Sequence, residues 1–151
     1  MEDQTTASAI ISFAEKLENS SSKFYIELSK MYKQERETFI AFAKESEKNK
    51  VLIKRTYQET ISDALEACFS FEGLNLQDYL IETDLKKDMS YIDALKMAIE
   101  LEEKAGRFYM DVAERSGSLL ATIPRAFRKA AEVRNKHKLK LKKLLEARAA
   151  C

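Results

Sequence analysis

The fold this sequence predicts is an all-α four-helix bundle of two antiparallel helical hairpins joined by one long crossover. Three observations predict it. Apolar residues recur at steps of three and four along four long segments, the spacing that places them on one face of a helix. Three glycines and one proline in 151 residues are too few for a loop-rich or all-β chain. The breaks are short within each pair of segments and long between the pairs, as in bundles with a single crossover. Residues 1–151 are expected to form one domain, since 45% hydrophobic residues at this length supply one substantial core.

The first helix is expected over about 7–32. Ile10, Phe13, Leu17, Phe24, Leu28 and Met31 mark one stripe, and Ala14, Glu18, Ser21, Tyr25 and Leu28 mark its edge, so Glu18 borders the core. After a break at Lys33-Gln34-Glu35, the second helix is expected over 36–67. Its stripe is Phe39, Phe42, Ser46, Asn49, Ile53, Tyr57 and Ile61, with Ser46 and Asn49 in the central slots. Residues 68–89 lose this period and contain Gly73; they read as the crossover, with a short helix capped by Asn75 over Leu76 to Ile81. Ser90 with Asp93 has the form of a capping box and opens a third helix over about 90–115. Its stripe, Leu95, Ala98, Glu102, Ala105, Tyr109 and Val112, puts a carboxylate in a core slot. Ser116-Gly117-Ser118 breaks the chain, and the fourth helix is expected over 122–147, with Pro124 suited to its first turn.

Composition narrows the setting. The start, Met1-Glu2-Asp3-Gln4-Thr5-Thr6, is acidic and polar, and no window reaches the length of a membrane span, so a soluble, cytoplasmic protein is expected. Cys68 and Cys151 form neither a C-x-x-C pair nor a disulfide framework, which fits a reducing compartment. The net charge is +1 but unevenly spread: residues 125–151 hold 10 basic and 2 acidic side chains. The fourth helix is a basic rod.

That helix also carries the central anomaly. Phe127, Ala130, Arg134, His137, Leu141 and Leu144 share its buried stripe, so a cation and the chain's one imidazole interrupt a core. An unpaired buried charge costs several kcal/mol, and the other helices must answer it. Counted from the hairpin turns at ~1.5 Å per residue, Glu18, Ser46, Asn49, Glu102, Arg134 and His137 fall at one level. The two halves are also similar in sequence. Lys16-Leu17-Glu18 through Phe24-Tyr25 matches Glu100-Leu101-Glu102 through Phe108-Tyr109, and Phe39-x-x-x-Ala43 with Asn49 matches Phe127-x-x-x-Ala131 with His137.

Leu-Glu-x-x-x-x-x-Phe-Tyr in helices one and three, and Phe-x-x-x-Ala followed by a pair of positions three apart in helices two and four, resemble the rubrerythrin-like branch of the ferritin-like superfamily. The resemblance spans about 8–147. It implies a ferritin-like bundle in which two single glutamates and two Glu-x-x-His motifs hold two irons. Glu18 and Glu102 match the single glutamates and His137 matches one histidine. Where the second helix should show Glu-x-x-His this chain has Ser46-x-x-Asn49, and where the fourth should, it has Arg134-x-x-His137.

Two carboxylates, one imidazole and a guanidinium that keeps its proton are a poor donor set for two iron ions. The expectation is therefore a degenerate di-iron site without cofactor. Arg134 replaces the metals, Glu18 and Glu102 are its counter-charges, and Ser46 and Asn49 its hydrogen-bond partners. The chain then acts as a non-catalytic binding or assembly module. The alternative is an iron-dependent oxidoreductase or peroxidase-type enzyme using a residual metal site of Glu18, Glu102 and His137. The family's rubredoxin-like cysteine pairs are missing, which removes its electron relay. Tyr25 and Tyr109 read as core aromatics or as redox residues beside a metal, and Cys68 as an idle thiol. A homodimer is implied by the resemblance. The basic fourth helix offers a surface for nucleic acid or an anionic membrane, set against a plain solvated face.

Overall fold

The computed structural model describes residues 5–60, 70–71, 73–116 and 122–149. Four long helices dominate: α1 (Ala7–Met31), α2 (Arg36–Thr60), α3 (Tyr91–Arg115) and α4 (Thr122–Ala149). The fold is the predicted all-α four-helix bundle. Lys50 Nζ donates to Asn19 Oδ1 at 2.9 Å and Lys54 pairs with Glu15 at 3.5 Å, so α1 and α2 run antiparallel. Lys142 lies 3.9 Å from Glu103, and Arg148 stands over the Tyr91 ring, so α3 and α4 do likewise. The most extensive packing is within these hairpins, and α2 against α4 joins them.

Local chemistry sets the ends. The Thr6 side chain caps α1 by accepting from the Ala9 N–H at 3.1 Å, and Ser90 caps α3 by accepting from the Asp93 N–H at 3.1 Å, each satisfying an orphan donor of a first turn. Between α1 and α2 the chain makes one 3-10 turn, Lys33–Glu35. Pro124, in the first turn of α4, needs no amide partner there. Among the described residues no helix is long and apolar enough to cross a membrane.

The crossover departs from expectation in form. Asn75 does cap a short helix, accepting from the Gln77 N–H, but it is a 3-10 turn over Leu76–Tyr79 and stops two residues before Ile81. Gly73 has φ 74°, the left-handed conformation that glycine adopts without steric cost. Phe71, Leu74 and Tyr79 are buried against one end of the bundle. There Thr5–Thr6 (β1) pairs antiparallel with Ser70–Phe71 (β2), a tie that no helical period announces. The second helix was expected to reach Ala67; it is described to Thr60, and the expectations for 61–67, Cys68 and Cys151 lie outside the described residues.

Burial also re-centres α1. Ile10, Ala14, Leu17, Glu18, Ser21, Phe24, Tyr25 and Leu28 are buried, whereas Phe13 and Met31 are only partly so. The middle of the buried face thus runs along what the sequence reading took for its edge, and Glu18 is central. The apolar core falls into two clusters, one around Ile10, Phe108, Val112 and Phe127 and the other around Leu28, Phe39, Leu95 and Leu141. Between them lies a layer of buried polar side chains.

Gly106 sits inside α3, where glycine costs a helix about 0.5–1 kcal/mol relative to alanine. A Cβ there would lie 3.9 Å from Arg134 Cβ, an ordinary contact. Gly106→Ala is therefore expected to raise the unfolding free energy by about 0.5–1 kcal/mol, read from the urea midpoint; a lowered midpoint would refute the packing given for this position.

Candidate functional site

The polar layer is built around one side chain. Arg134, on the buried stripe of α4, has 0% exposure and extends across the bundle toward α1 and α3. Its Nη2 donates to Glu18 Oε1 at 2.6 Å and to Ser21 Oγ at 2.9 Å. Its Nη1 donates to the two Glu102 oxygens at 3.0 and 3.1 Å. The guanidinium thus stands between the two carboxylates that the sequence reading paired with it, and charge-assisted bonds of this kind are about twice as strong as neutral ones.

Two tyrosines complete the ring of donors. Tyr25 OH donates to Glu102 and Tyr109 OH to Glu18. The pairing is crossed: the tyrosine of α1 serves the glutamate of α3, and that of α3 serves the glutamate of α1. The two Leu-Glu…Phe-Tyr repeats are therefore related by an approximate two-fold axis through the guanidinium. The phenols are core residues with a polar task, which spacing alone left open.

The expected hydrogen-bond partners of Arg134 need correction. Asn49 Nδ2 donates to Glu18 Oε2 at 3.3 Å, so it serves the carboxylate. Ser46 Oγ is buried and has no hydrogen-bond partner among the described residues. The hydroxyl that Arg134 does use belongs to Ser21, whose own O–H goes to the Leu17 carbonyl at 2.7 Å. α1 supplies it because its buried face runs one position round from the stripe first read. The short Ser46 side chain, on α2, does not reach.

His137 is 1% exposed and stacks on Phe42 with ring centroids 3.9 Å apart and planes 18° apart. Its Nδ1 lies 3.4 Å from Glu102 Oε1 without hydrogen-bond geometry. Its Nε2 faces Glu45 Oε1 at 3.2 Å. Sequence reading missed Glu45, which sits off the α2 stripe and reaches in from a partly exposed position; its one signal was adjacency to Ser46.

The electrostatics follow from burial and the shared cation. Burial pushes the Glu18 carboxyl above its ordinary value, outweighing Arg134 and the Tyr109 hydroxyl. Burial would raise Glu102 too, but Arg134, His137 and Tyr25 together hold it below its ordinary value of 4.5. Burial and then the facing glutamates push Tyr25 and Tyr109 well up. Burial alone would lower Arg134, and Glu102 and Glu18 more than reverse it. At neutral pH the guanidinium is charged and both phenols are neutral donors.

Of the groups able to ligate a metal, Glu18 and Glu102 are engaged by Arg134, and His137 contacts Glu102 and Glu45. Among the described residues no group of three or more His, Cys, Asp and Glu side chains is arranged to hold a metal ion.

No curated protein and no solved structure matches the chain significantly. The Rubrerythrin family model matches residues 93–150, which takes in nearly all of α3 and α4 and includes Glu102, Tyr109, Arg134 and His137. The second hairpin is thus similar to the Rubrerythrin family, and the same Glu…Phe-Tyr and Phe-x-x-x-Ala patterns repeat on the first hairpin of the four-helix bundle.

Proposed function

We propose that this bundle has exchanged a di-iron centre for an arginine–carboxylate cluster and works through its surface, as a non-catalytic binding or assembly module. One observation carries the reading: the Arg134 guanidinium lies within 3.0 Å of both Glu18 and Glu102 and has no exposure. A permanent cation in that place repels metal ions and occupies the oxygens that would ligate them. Ser46 and Asn49, at the positions matching one Glu-x-x-His motif, offer a hydroxyl and an amide in place of a carboxylate and an imidazole, a neutral set unsuited to di- or trivalent iron. The donor set does not fit a di-iron centre. A homodimer and a cytoplasmic setting belong to the same reading.

One observation supports a second reading: His137 Nδ1 lies 3.4 Å from Glu102 Oε1 without a hydrogen bond. It is a residual iron site of Glu18, Glu102 and His137 with oxidoreductase or peroxidase-type activity. It requires Arg134 to leave its partners, at a cost of several kcal/mol for the uncompensated charge. Metal analysis and visible absorbance after expression with added iron separate the two. Metal-free protein is expected. Two irons per chain with an oxo-bridge band would overturn the first reading, and one iron lost in His137→Ala would establish the second. Arg134→Glu combined with Ser46→Glu and Asn49→His is expected to gain iron uptake over the parent chain.

The cluster also sets a pH signature. Arg134→Leu strands two buried carboxylates and is expected to cost about 3–5 kcal/mol at pH 7. Without the cation both folded-state pKa values rise, and a carboxyl raised above its unfolded value lowers stability at high pH and regains it as pH falls. The gap between variant and parent should therefore narrow from pH 7 toward 4.5 in urea titrations. In the parent, Glu102 is depressed, so its contribution is complete above 4.5 and is lost as pH falls through the lower folded value. A gap independent of pH would contradict this assignment of charges.

A further inference from the structure

Helix α4 turns its apolar stripe and Arg134 inward and its other cations outward. Arg125, Arg128, Lys129, Lys136, Lys140 and Lys143 are all exposed. At about 100° per residue these six fall within roughly a third of the helix circumference, and from Arg125 to Lys143 they run about 27 Å along its axis. Two further cations of α4 have partners inside the chain: Lys142 lies 3.9 Å from Glu103, and Arg148 stands 5.6 Å from the Tyr91 ring centroid. Among the described residues none of the six outward cations makes an ion pair, although Glu132 stands in their midst. Like charges at helical spacing repel, and one acid, Glu132, four residues from Arg128 and from Lys136, stands against six cations.

The array borders a concave surface. A groove of about 580 Å³ lies between α3 and α4, with Gly106 and Ala131 on its floor and Arg107, Arg128, Lys136 and Lys138 among its lining residues. α3 thus adds a further cation beside the α4 row, and the groove is also lined by the acids Glu102, Glu103 and Glu132.

The form of the array selects among anionic partners. Interfacial insertion into a membrane needs a free apolar helix face, but that of α4 is buried in the bundle through Phe127, Ala130 and Leu141, and Leu139 is the exposed large apolar side chain on this helix. A row of cations recurring over several helical turns matches an anion that repeats along a line, as phosphates do on a nucleic-acid strand. No aromatic side chain lies in the row to stack on bases. We infer that the outward face of α4, with the adjoining α3–α4 groove, binds the phosphate backbone of nucleic acid without regard to sequence. This deepens the surface-binding reading and rests on it, yet it fails separately: chain that binds no nucleic acid leaves the metal-free bundle untouched.

Fluorescence anisotropy of the full chain with two labelled 20-base-pair DNA duplexes of unrelated sequence tests it. Saturable binding of both at 50 mM salt is expected, with affinity falling roughly 10³-fold by 200 mM for about six phosphate contacts. Lys136→Glu with Lys140→Glu should weaken binding at least tenfold and flatten the salt slope, and Lys136→Gln with Lys140→Gln should do so less; the second pair decides the matter if the first melts early. Lys30→Glu with Lys54→Glu, on α1 and α2, should change nothing. Absence of binding at 50 mM salt, or unaltered binding by both α4 variants, overturns the inference. So does equally tight binding to polyglutamate or to anionic vesicles, which would make the face a general anion surface for an acidic protein or a lipid headgroup.

Discussion

A guanidinium withdrawn from water between two carboxylates is the interaction on which the rest of this bundle depends. Removing charges from water costs several kcal/mol per ion even after relaxation, so the arrangement holds only where strong bonds compensate; among the described residues Arg134 Nε, Ser46 Oγ and His137 Nδ1 are left without a hydrogen bond. Arg134 uses both terminal nitrogens on Glu18, Glu102 and Ser21. Each carboxylate receives a phenol as well, and Glu18 an amide from Asn49. One cation facing two carboxylates leaves a negative charge over. The two glutamates divide that burden unequally: Glu102 has His137 nearby and is stabilised as the anion, whereas burial dominates at Glu18. α1, α3 and α4 meet on this one group because each supplies something the others cannot satisfy alone.

The internal repeat explains how such a group fits. Position 46 of the first hairpin corresponds to 134 of the second, and 49 to 137. In a bundle with approximate two-fold symmetry, equivalent side chains point toward the same axis from opposite sides, and two long ones would collide. Among the described residues Arg134 is the largest fully buried side chain, and Ser46, facing it in the repeat, is among the smallest. The layer keeps its volume by making one side large and the other small, as a close-packed interior requires. Symmetry survives where the chemistry is shared, in the crossed tyrosine–glutamate pairs, and breaks where one cation serves both halves.

Much of this was legible in the sequence because helical periodicity is a long-range signal. Over four segments it located the buried faces and exposed Arg134 and His137 as residues out of place, and the repeat brought Glu18 and Glu102 to the same level. The pairing of Arg134 with both glutamates followed from the cost of leaving it alone. Directions inside the layer were not legible. A serine such as Ser21 commonly satisfies itself on the carbonyl one turn back, and its spacing gives no sign that its oxygen also accepts from an arginine. Asn49 and Ser46 were placed at the right height, but height does not say whether an amide reaches the cation or the anion. Glu45 lies on the flank of its helix, where side-chain length rather than phase decides contact. The pairing of Thr5–Thr6 with Ser70–Phe71 is too short to carry any period.

What the polar layer contributes is better understood as register than as stability. Apolar side chains of similar volume commonly replace a buried ion pair at little cost or with gain, whereas breaking one partner is severe. The two apolar clusters on either side of the layer tolerate small slips, since leucine against leucine is much the same one turn away. The guanidinium does not. Sliding α4 by one turn, about 5.4 Å, would carry Arg134 out of reach of both Glu18 and Glu102 and leave three buried charges unpaired. A wrong register is thereby penalised far more than the correct one is rewarded, which is the situation in which a buried polar group defines a unique packing. Fixing α4 in register also fixes the cations on its outer face relative to Arg107 and the α3–α4 groove. The interior charge and the exterior ones are thus set by the same helix in the same position: the inward arginine holds the rod that presents the outward row.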